Sequence, residues 1–344
     1  MCDCLCALGP ATTTGTTLFA KNSDRPPHEA QELEWFPARA DGARTRTTYL
    51  EIPSVPETIG VVASRPAWAW GVEHGVNEAG VAIGNEAIYT TRDPRDAPPG
   101  LIGLDLVRLG LERAPHAADA VAVITELLEQ FGQGGSGHGD TERPYWSSFL
   151  VADANEAYVV ETSGRTWAAE AVIRTRAISN RTTITSFDAE HRHPRQPVET
   201  RVDPRLRASR AVLESEAVTV EALKAHLRAH VGGESGWTVC MHVGNEEATT
   251  GAIVAELAPR APRAKARFLL GAPCTSIFVP VFVGRPLGAP PPWRAFASLT
   301  PAHRAELDAL EAELEADATD TRAWNAEAWR RVRSVLDRVS ERER

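Results

Sequence analysis

Runs of strand-like sequence that alternate with pairs of helices constrain this chain more than any other feature. Residues 2–8 and 16–20 read as two strands, joined by Gly9-Pro10-Ala11-Thr12-Thr13-Thr14-Gly15, a loop with turn residues at both ends. A second strand–turn–strand unit lies between Gly71 and Thr90, with Asn77-Glu78-Ala79-Gly80 as its turn. Residues 103–113 and 116–131 read as helices, the second with Ala120, Val121, Ile124, Leu127 and Leu128 at helical period. Strands resume at 147–152, 157–162, 167–172 and 176–179. Helices follow at 205–215 and 219–230, then strands at 238–243, 251–257 and 275–283. Residues 186–204, rich in His, Arg and Pro, read as loop. Beyond the proline-rich stretch 286–292, residues 301–338 read as a helical hairpin packed on the body. This order implies an α+β chain in which sheet layers are covered by helices.

The first strand opens at Cys2, directly behind the initiator methionine. Methionine is commonly trimmed when the second residue is small, and cysteine is small. Trimming leaves one residue with both a thiol and a free α-amine, whose ordinary pKa near ~8 lets it take the thiol proton. That residue then supplies nucleophile and base together. Cys2, Cys4 and Cys6 alternate, so in a strand they share one face. Their Cys-x-Cys-x-Cys spacing lacks the gap usual between zinc-ligand cysteines, and no metal is expected there.

Composition narrows the remaining classes. The chain has 344 residues, long enough for one large domain or two ordinary ones. With 43% hydrophobic and 24% charged residues it reads as an ordinary soluble globular protein. A net charge of −9 argues against a nucleic-acid partner and against docking to anionic membranes. Lysine occurs only at Lys21, Lys224 and Lys265, which singles out Lys21 in a chain whose positive charge is otherwise arginine. No apolar run reaches the ~18 residues of a membrane span. No secretory signal is visible at the N-terminus. Five cysteines, an odd number, suit reduced thiols in a cytoplasmic protein better than a disulfide framework. The loop Gly132-Gln133-Gly134-Gly135-Ser136-Gly137 follows no strand and precedes no Gly-Lys-Ser/Thr, so it is not a phosphate-binding loop, and no cofactor is expected. His191-Arg192-His193 reads as a solvent loop, and Cys240 and His242 as neighbours on one strand face, His242 a core histidine rather than a ligand.

Several blocks together resemble the secernins and the related dipeptidases of peptidase family C69. The first is Cys2-Asp3-Cys4 with Phe19-Ala20-Lys21-Asn22-Ser23-Asp24-Arg25-Pro26 and Glu29-Ala30-Gln31-Glu32. The second is Trp70-Gly71-Val72-Glu73-His74-Gly75-Val76-Asn77-Glu78 with Val81-Ala82-Ile83-Gly84-Asn85-Glu86-Ala87. Ser148-Phe149-Leu150-Val151-Ala152-Asp153, Glu161-Thr162, Trp167-Ala168-Ala169-Glu170, Ala177-Ile178-Ser179-Asn180, Val239-Cys240-Met241-His242 and Thr249-Thr250-Gly251 follow in order. The resemblance runs from residue 2 to about residue 280. It implies a four-layer αββα sandwich of the N-terminal nucleophile hydrolase class over residues 2–290. Residues 291–344 would then form a C-terminal helical extension on the same domain.

The resemblance also implies a cysteine-type amidohydrolase, most simply a dipeptidase acting on a dipeptide or an N-acyl amino acid, with a homo-oligomer as a possible assembly. Cys2 is the expected nucleophile and Asp24 the carboxylate that holds its amine. Lys21 stands where the bile salt hydrolases carry arginine; a cation there favours thiolate, although lysine cannot make the bidentate fork. Asn180 resembles the asparagine whose side-chain amide lines the oxyanion hole, where donors must face the developing charge. Asn85 resembles the second contributor, through a backbone amide. An arginine should complete the site, with Arg201, Arg207 and Arg210 in the right region and Arg207 named for the role. Cys4 is the runner-up nucleophile. Two other readings stay open: a hydrolase of non-peptide amides or lactams on the same scaffold, and a non-catalytic interaction protein with a remnant site.

Overall fold

The structure is a computed structural model that describes residues 1–40, 42–260 and 264–342. In chain order it begins with strands β1 (Cys2–Ala7), β2 (Thr17–Arg25), β3 (Gln31–Phe36), β4 (Arg44–Arg46), β5 (Glu51–Pro53), β6 (Val61–Pro66), β7 (His74–Asn77) and β8 (Ala82–Ile88). Helices α1 (Gly103–Arg113) and α2 (Ala117–Phe131) follow, then β9 (Trp146–Ala152), β10 (Ala157–Ser163), β11 (Thr166–Ala171) and β12 (Thr175–Ile178). Next come α3 (Thr185–His191), α4 (Val198–Arg201), α5 (Asp203–Leu213) and α6 (Val220–Leu227). The chain closes with β13 (His242–Val243), β14 (Glu247–Leu257), β15 (Ala264–Leu270), β16 (Val279–Phe282), α7 (Trp293–Ala297), α8 (Arg304–Asp317) and α9 (Trp324–Arg342).

Among the described residues two large sheets form. One runs β12-β1-β2-β14-β15-β16, with β13 on β14; the other runs β11-β10-β9-β8-β7-β6-β3. Strand alternation sorts the side chains into three apolar clusters. Cys4, Cys6, Phe19, Ile253 and Phe268 of the first sheet meet Leu33, Val62, Val76, Leu150 and Val159 of the second in the space between them. Their neighbours Leu5, Leu18, Ala20 and Val254 face outward onto Leu206, Leu213, Leu223 and Leu227 of α5 and α6. On the far side Val61, Ile83, Phe149 and Val160 face α1 and α2. The result is helix, sheet, sheet, helix. The last two helices close the inter-sheet cluster with Leu307, Leu314, Trp329 and Val332.

Several readings of the sequence need correction. Residues 186–204 are not all loop: α3 and α4 lie there, anchored by buried Phe187 and Val198, and the Glu161 carboxylate accepts the amides of Thr183 and Ile184 just ahead of α3. Residues 238–243 are not a full strand; only His242 and Val243 pair with β14. The second strand also continues past residue 20 to Arg25, and its polar half is buried throughout.

Because α9 shares one cluster with both sheets, its removal should be felt by the whole molecule. Trp329→Ala empties a site that is 1% exposed and should cost about 3–5 kcal/mol. Urea unfolding followed by fluorescence and circular dichroism should show one earlier transition; a separate early step confined to helix signal would make the C-terminal helices an independent unit.

Candidate active site

The alternation that sends Leu5 outward sends Cys2, Cys4 and Cys6 into the space between the sheets, and Asp3 onto the side of α5. Antiparallel pairing sets Cys2 opposite Ser23 and Cys4 opposite Lys21. Asp24 is thereby the next residue past the end of β1. Its backbone amide donates to Met1 O at 2.9 Å and lies 3.4 Å from Cys2 Sγ, and its carbonyl accepts from the Met1 ammonium at 3.2 Å. The Asp24 carboxyl accepts from Thr249 Oγ1 at 2.6 Å and lies 3.9 Å from Arg205 Nη1. A bulge in the β2–β14 ladder between Thr249 and Gly251 puts the Thr249 hydroxyl there.

Asn180, just past β12, meets the nitrogen of Cys2. Its Oδ1 accepts the Cys2 backbone N–H at 2.8 Å and Arg205 Nη2 at 2.8 Å, while its Nδ2 donates to Ala87 O at 2.9 Å. With two donors on one side and a carbonyl on the other, only this orientation of the amide satisfies every partner. One of the two Nδ2 hydrogens is thus committed to β8.

The arginine that the structure brings to Asn180 and the Cys2 carbonyl is Arg205, not the Arg207 named from the sequence. Arg205 is fully buried and reaches Asp3 Oδ2 at 2.5 Å as well as Asn180. Arg207 is exposed and, with Arg210, lines a surface cleft of about 520 Å³ beside Arg181 and Asp188. Two residues apart on a helix means nearly opposite faces. Val202, Leu206, Ser209 and Leu213 mark the buried face, and Arg205 falls within it; that period was the signal in the sequence. Arg201 stacks over Trp237 at 4.3 Å.

Lys21 is buried and donates to Ser23 Oγ at 2.7 Å and to Glu73 Oε2 at 3.3 Å. Asn85 stands in β8 opposite Phe149, on the face turned to α1, with Gly103 leaving room for its amide. Its side chain therefore points away from the space that holds Cys2, so any contribution to an oxyanion hole falls to its backbone. Cys4 is wholly enclosed, with Glu86 and Lys21 about it, and is no rival to Cys2 for access.

Burial dominates the electrostatics. It pushes the Cys2 thiol up to about 12, Glu86 and Glu73 adding to the rise while Lys21 and the terminal ammonium oppose it. Two residues that the sequence reading did not assign to the site belong to its surroundings. Glu247 Oε2 pairs with the Met1 ammonium at 3.3 Å, and its Oε1 with Arg143 at 3.3 Å. Arg143 and Tyr89 in turn line an open cleft of about 460 Å³.

No protein-family model matches the chain. Among solved structures it is similar to a mutant of the conjugated bile acid hydrolase from Clostridium perfringens, with 11% identity and a TM-score of 0.53 over 83% of this chain and 93% of that one. Another variant of that hydrolase gives 11% and 0.49 over 77% and 88%. An N-acylethanolamine-hydrolyzing acid amidase ortholog from Caenorhabditis elegans gives 11% and 0.44 over 73% and 91%. The first likeness speaks to the fold alone: a layered α+β arrangement of two sheets covered by helices, shared with that hydrolase.

Two outcomes follow from this geometry. Arg205→Met strands Asp3 as a buried unpaired charge and should cost about 3–5 kcal/mol, whereas Arg207→Ala should stay within about 0.5 kcal/mol of the parent; equal effects in urea titrations would contradict the assignment. The second concerns Asp24, whose carboxyl burial lifts from 3.8 to about 7 against the pull of the terminal ammonium and Arg205. The folded chain keeps this proton where the unfolded chain has lost it. Its stabilising contribution is therefore complete below the unfolded value and drains away as pH rises from about 4 to about 7. With Met1 retained, Asp24→Asn should flatten that slope and raise stability at neutral pH, read from unfolding curves across the range; an unchanged slope would assign it to another group.

Proposed function

We propose that the protein is a cysteine amidohydrolase whose nucleophile is Cys2, exposed as the N-terminal residue when Met1 is removed, and that its substrates are dipeptides. The observation that carries this reading is the pairing of the Cys2 nitrogen with Asn180 Oδ1 at 2.8 Å, beside buried Arg205 and Asp24. In the trimmed chain that nitrogen is an amine next to its own thiol. It takes the thiol proton as Sγ attacks the substrate carbonyl, then delivers it to the leaving amine. Water hydrolyses the thioester in a second step. The free hydrogen of Asn180 Nδ2 serves the oxyanion, Asp24 and Arg205 hold the amine in place, and Lys21 draws the thiol toward thiolate.

The choice of a dipeptide rests on the blocks that resemble those of the secernins and C69 dipeptidases and on Glu247. Met1 sits ahead of Cys2 as the acyl part of a peptide would, and its ammonium lies on the Glu247 carboxylate. Once Met1 leaves, Glu247 is available to the free amino group of a substrate. An N-acylated substrate has no charge to place there.

Cys2→Ala should abolish hydrolysis of a dipeptide panel without unfolding the protein, and a residue that resists trimming placed ahead of Cys2 should do the same. Full activity with the N-terminus blocked would sink the mechanism. Glu247→Gln should lower kcat/KM for free dipeptides by about 10- to 100-fold, the value of one hydrogen bond between charged groups. The same substitution should leave N-acetylated analogues unaffected. Faster turnover of the acetylated analogues by the parent protein would move the substrate class to N-acyl amides.

A further inference from the structure

Away from Cys2, four soft side chains converge from three stretches of chain: His230 beyond α6, Cys240 and His242 around the start of β13, and Cys274 in the turn after β15. One donor atom from each lies within 4.8 Å of the other three. His242 Nε2 is 3.4 Å from Cys240 Sγ and 3.3 Å from Cys274 Sγ. The rings of His230 and His242 stand nearly perpendicular, 81° apart with centroids at 5.1 Å. His242 is exposed rather than a core histidine, which corrects the reading of the sequence.

From these positions we infer that His230, Cys240, His242 and Cys274 form a structural tetrahedral site for zinc. Zinc bonds of about 2.3 Å to sulfur and about 2.0–2.1 Å to nitrogen set donor–donor edges of about 3.3–3.8 Å in a tetrahedron, and the two nitrogen–sulfur distances fall inside that range. Two thiolates with two imidazoles favour zinc over hard oxygen-seeking cations. Four protein ligands leave no open position, which marks a site that braces structure rather than one that activates water.

The brace would act close to the catalytic wall. Met241, between the two central ligands, donates its amide to Thr249 Oγ1 at 2.8 Å, and that hydroxyl donates to Asp24 at 2.6 Å. Zinc would thus fix the segment that fixes the partner of Asp24. This inference does not depend on the proposed hydrolysis, since its readout is metal content.

The test uses the full-length, untagged protein, purified without chelator, with metal measured by inductively coupled plasma mass spectrometry. About one zinc per chain is expected. Cobalt supplied in place of zinc should give the intense visible bands and the thiolate charge-transfer band of tetrahedral coordination. Cys274→Ser and His230→Ala should each weaken zinc binding by more than about 100-fold, beyond what losing a supporting contact does, and Cys2→Ala should leave it intact. His230 is exposed, so its variant should remain folded by circular dichroism. The inference is overturned by folded protein that holds no zinc and shows no cobalt spectrum. It is equally overturned by a mass two hydrogens short, which would report a Cys240–Cys274 disulfide, or by metal lost from Cys2→Ala yet kept by Cys274→Ser.

Discussion

The buried guanidinium of Arg205 is the contact on which the geometry around the N-terminus depends. A charge with no access to water must be paired, and Arg205 finds Asp3 in β1, Asn180 past β12 and the carbonyl of Arg201 one turn back on its own helix region. Three elements distant in sequence are tied by one side chain. The ion pair is not there chiefly for stability, since a buried pair often does no better than an apolar substitute of the same size. Its effect is directional. By donating to Asn180 Oδ1 from one side it leaves the Cys2 nitrogen on the other, and turns Nδ2 toward Ala87.

Apolar clusters hold the layers together, and a polar seam between the sheets sets the chemistry. Glu73 accepts Lys21 at 3.3 Å and Arg25 at 3.2 Å, so one carboxylate from β7's approach serves two cations of β2. Ser23 lies between them and meets His74 Nδ1 at 3.0 Å. Burial, with Lys21 nearby, holds His74 well below its ordinary value, which keeps the ring neutral. The seam therefore carries its positive charge on Lys21 and Arg25 rather than on histidine, close to the thiol that benefits from it.

Helices α1 and α2 were legible to within a residue because their apolar period is a local property, read from one stretch of chain. The layered α+β fold was legible for the same reason, as an order of such stretches. β2 was cut short at residue 20 because Lys21, Asn22, Ser23 and Asp24 look like surface; what buries them is supplied by Glu73, Thr249 and the carbonyls of Leu227 and Val239. Arg207 was named from among Arg201, Arg207 and Arg210, without Arg205, because no partner for any of them is visible in the sequence, although the apolar face of α5 already pointed to Arg205. Asn85 was legible as a strand residue but not as one turned to α1, since a one-residue change of register exchanges the faces. The convergence of His230, Cys240, His242 and Cys274 had no local spacing to announce it.

The enclosed state of Cys2 has a consequence for how the chain survives its own synthesis. With Met1 in place burial pushes the thiol up to about 12, so at neutral pH it stays protonated. Peroxide and soft electrophiles attack the thiolate, so with Met1 in place the Cys2 thiol is shielded from both. On the mechanism proposed above, reactivity arrives only when Met1 is cut away, so Met1 would serve as a safety cap and its removal as an arming step.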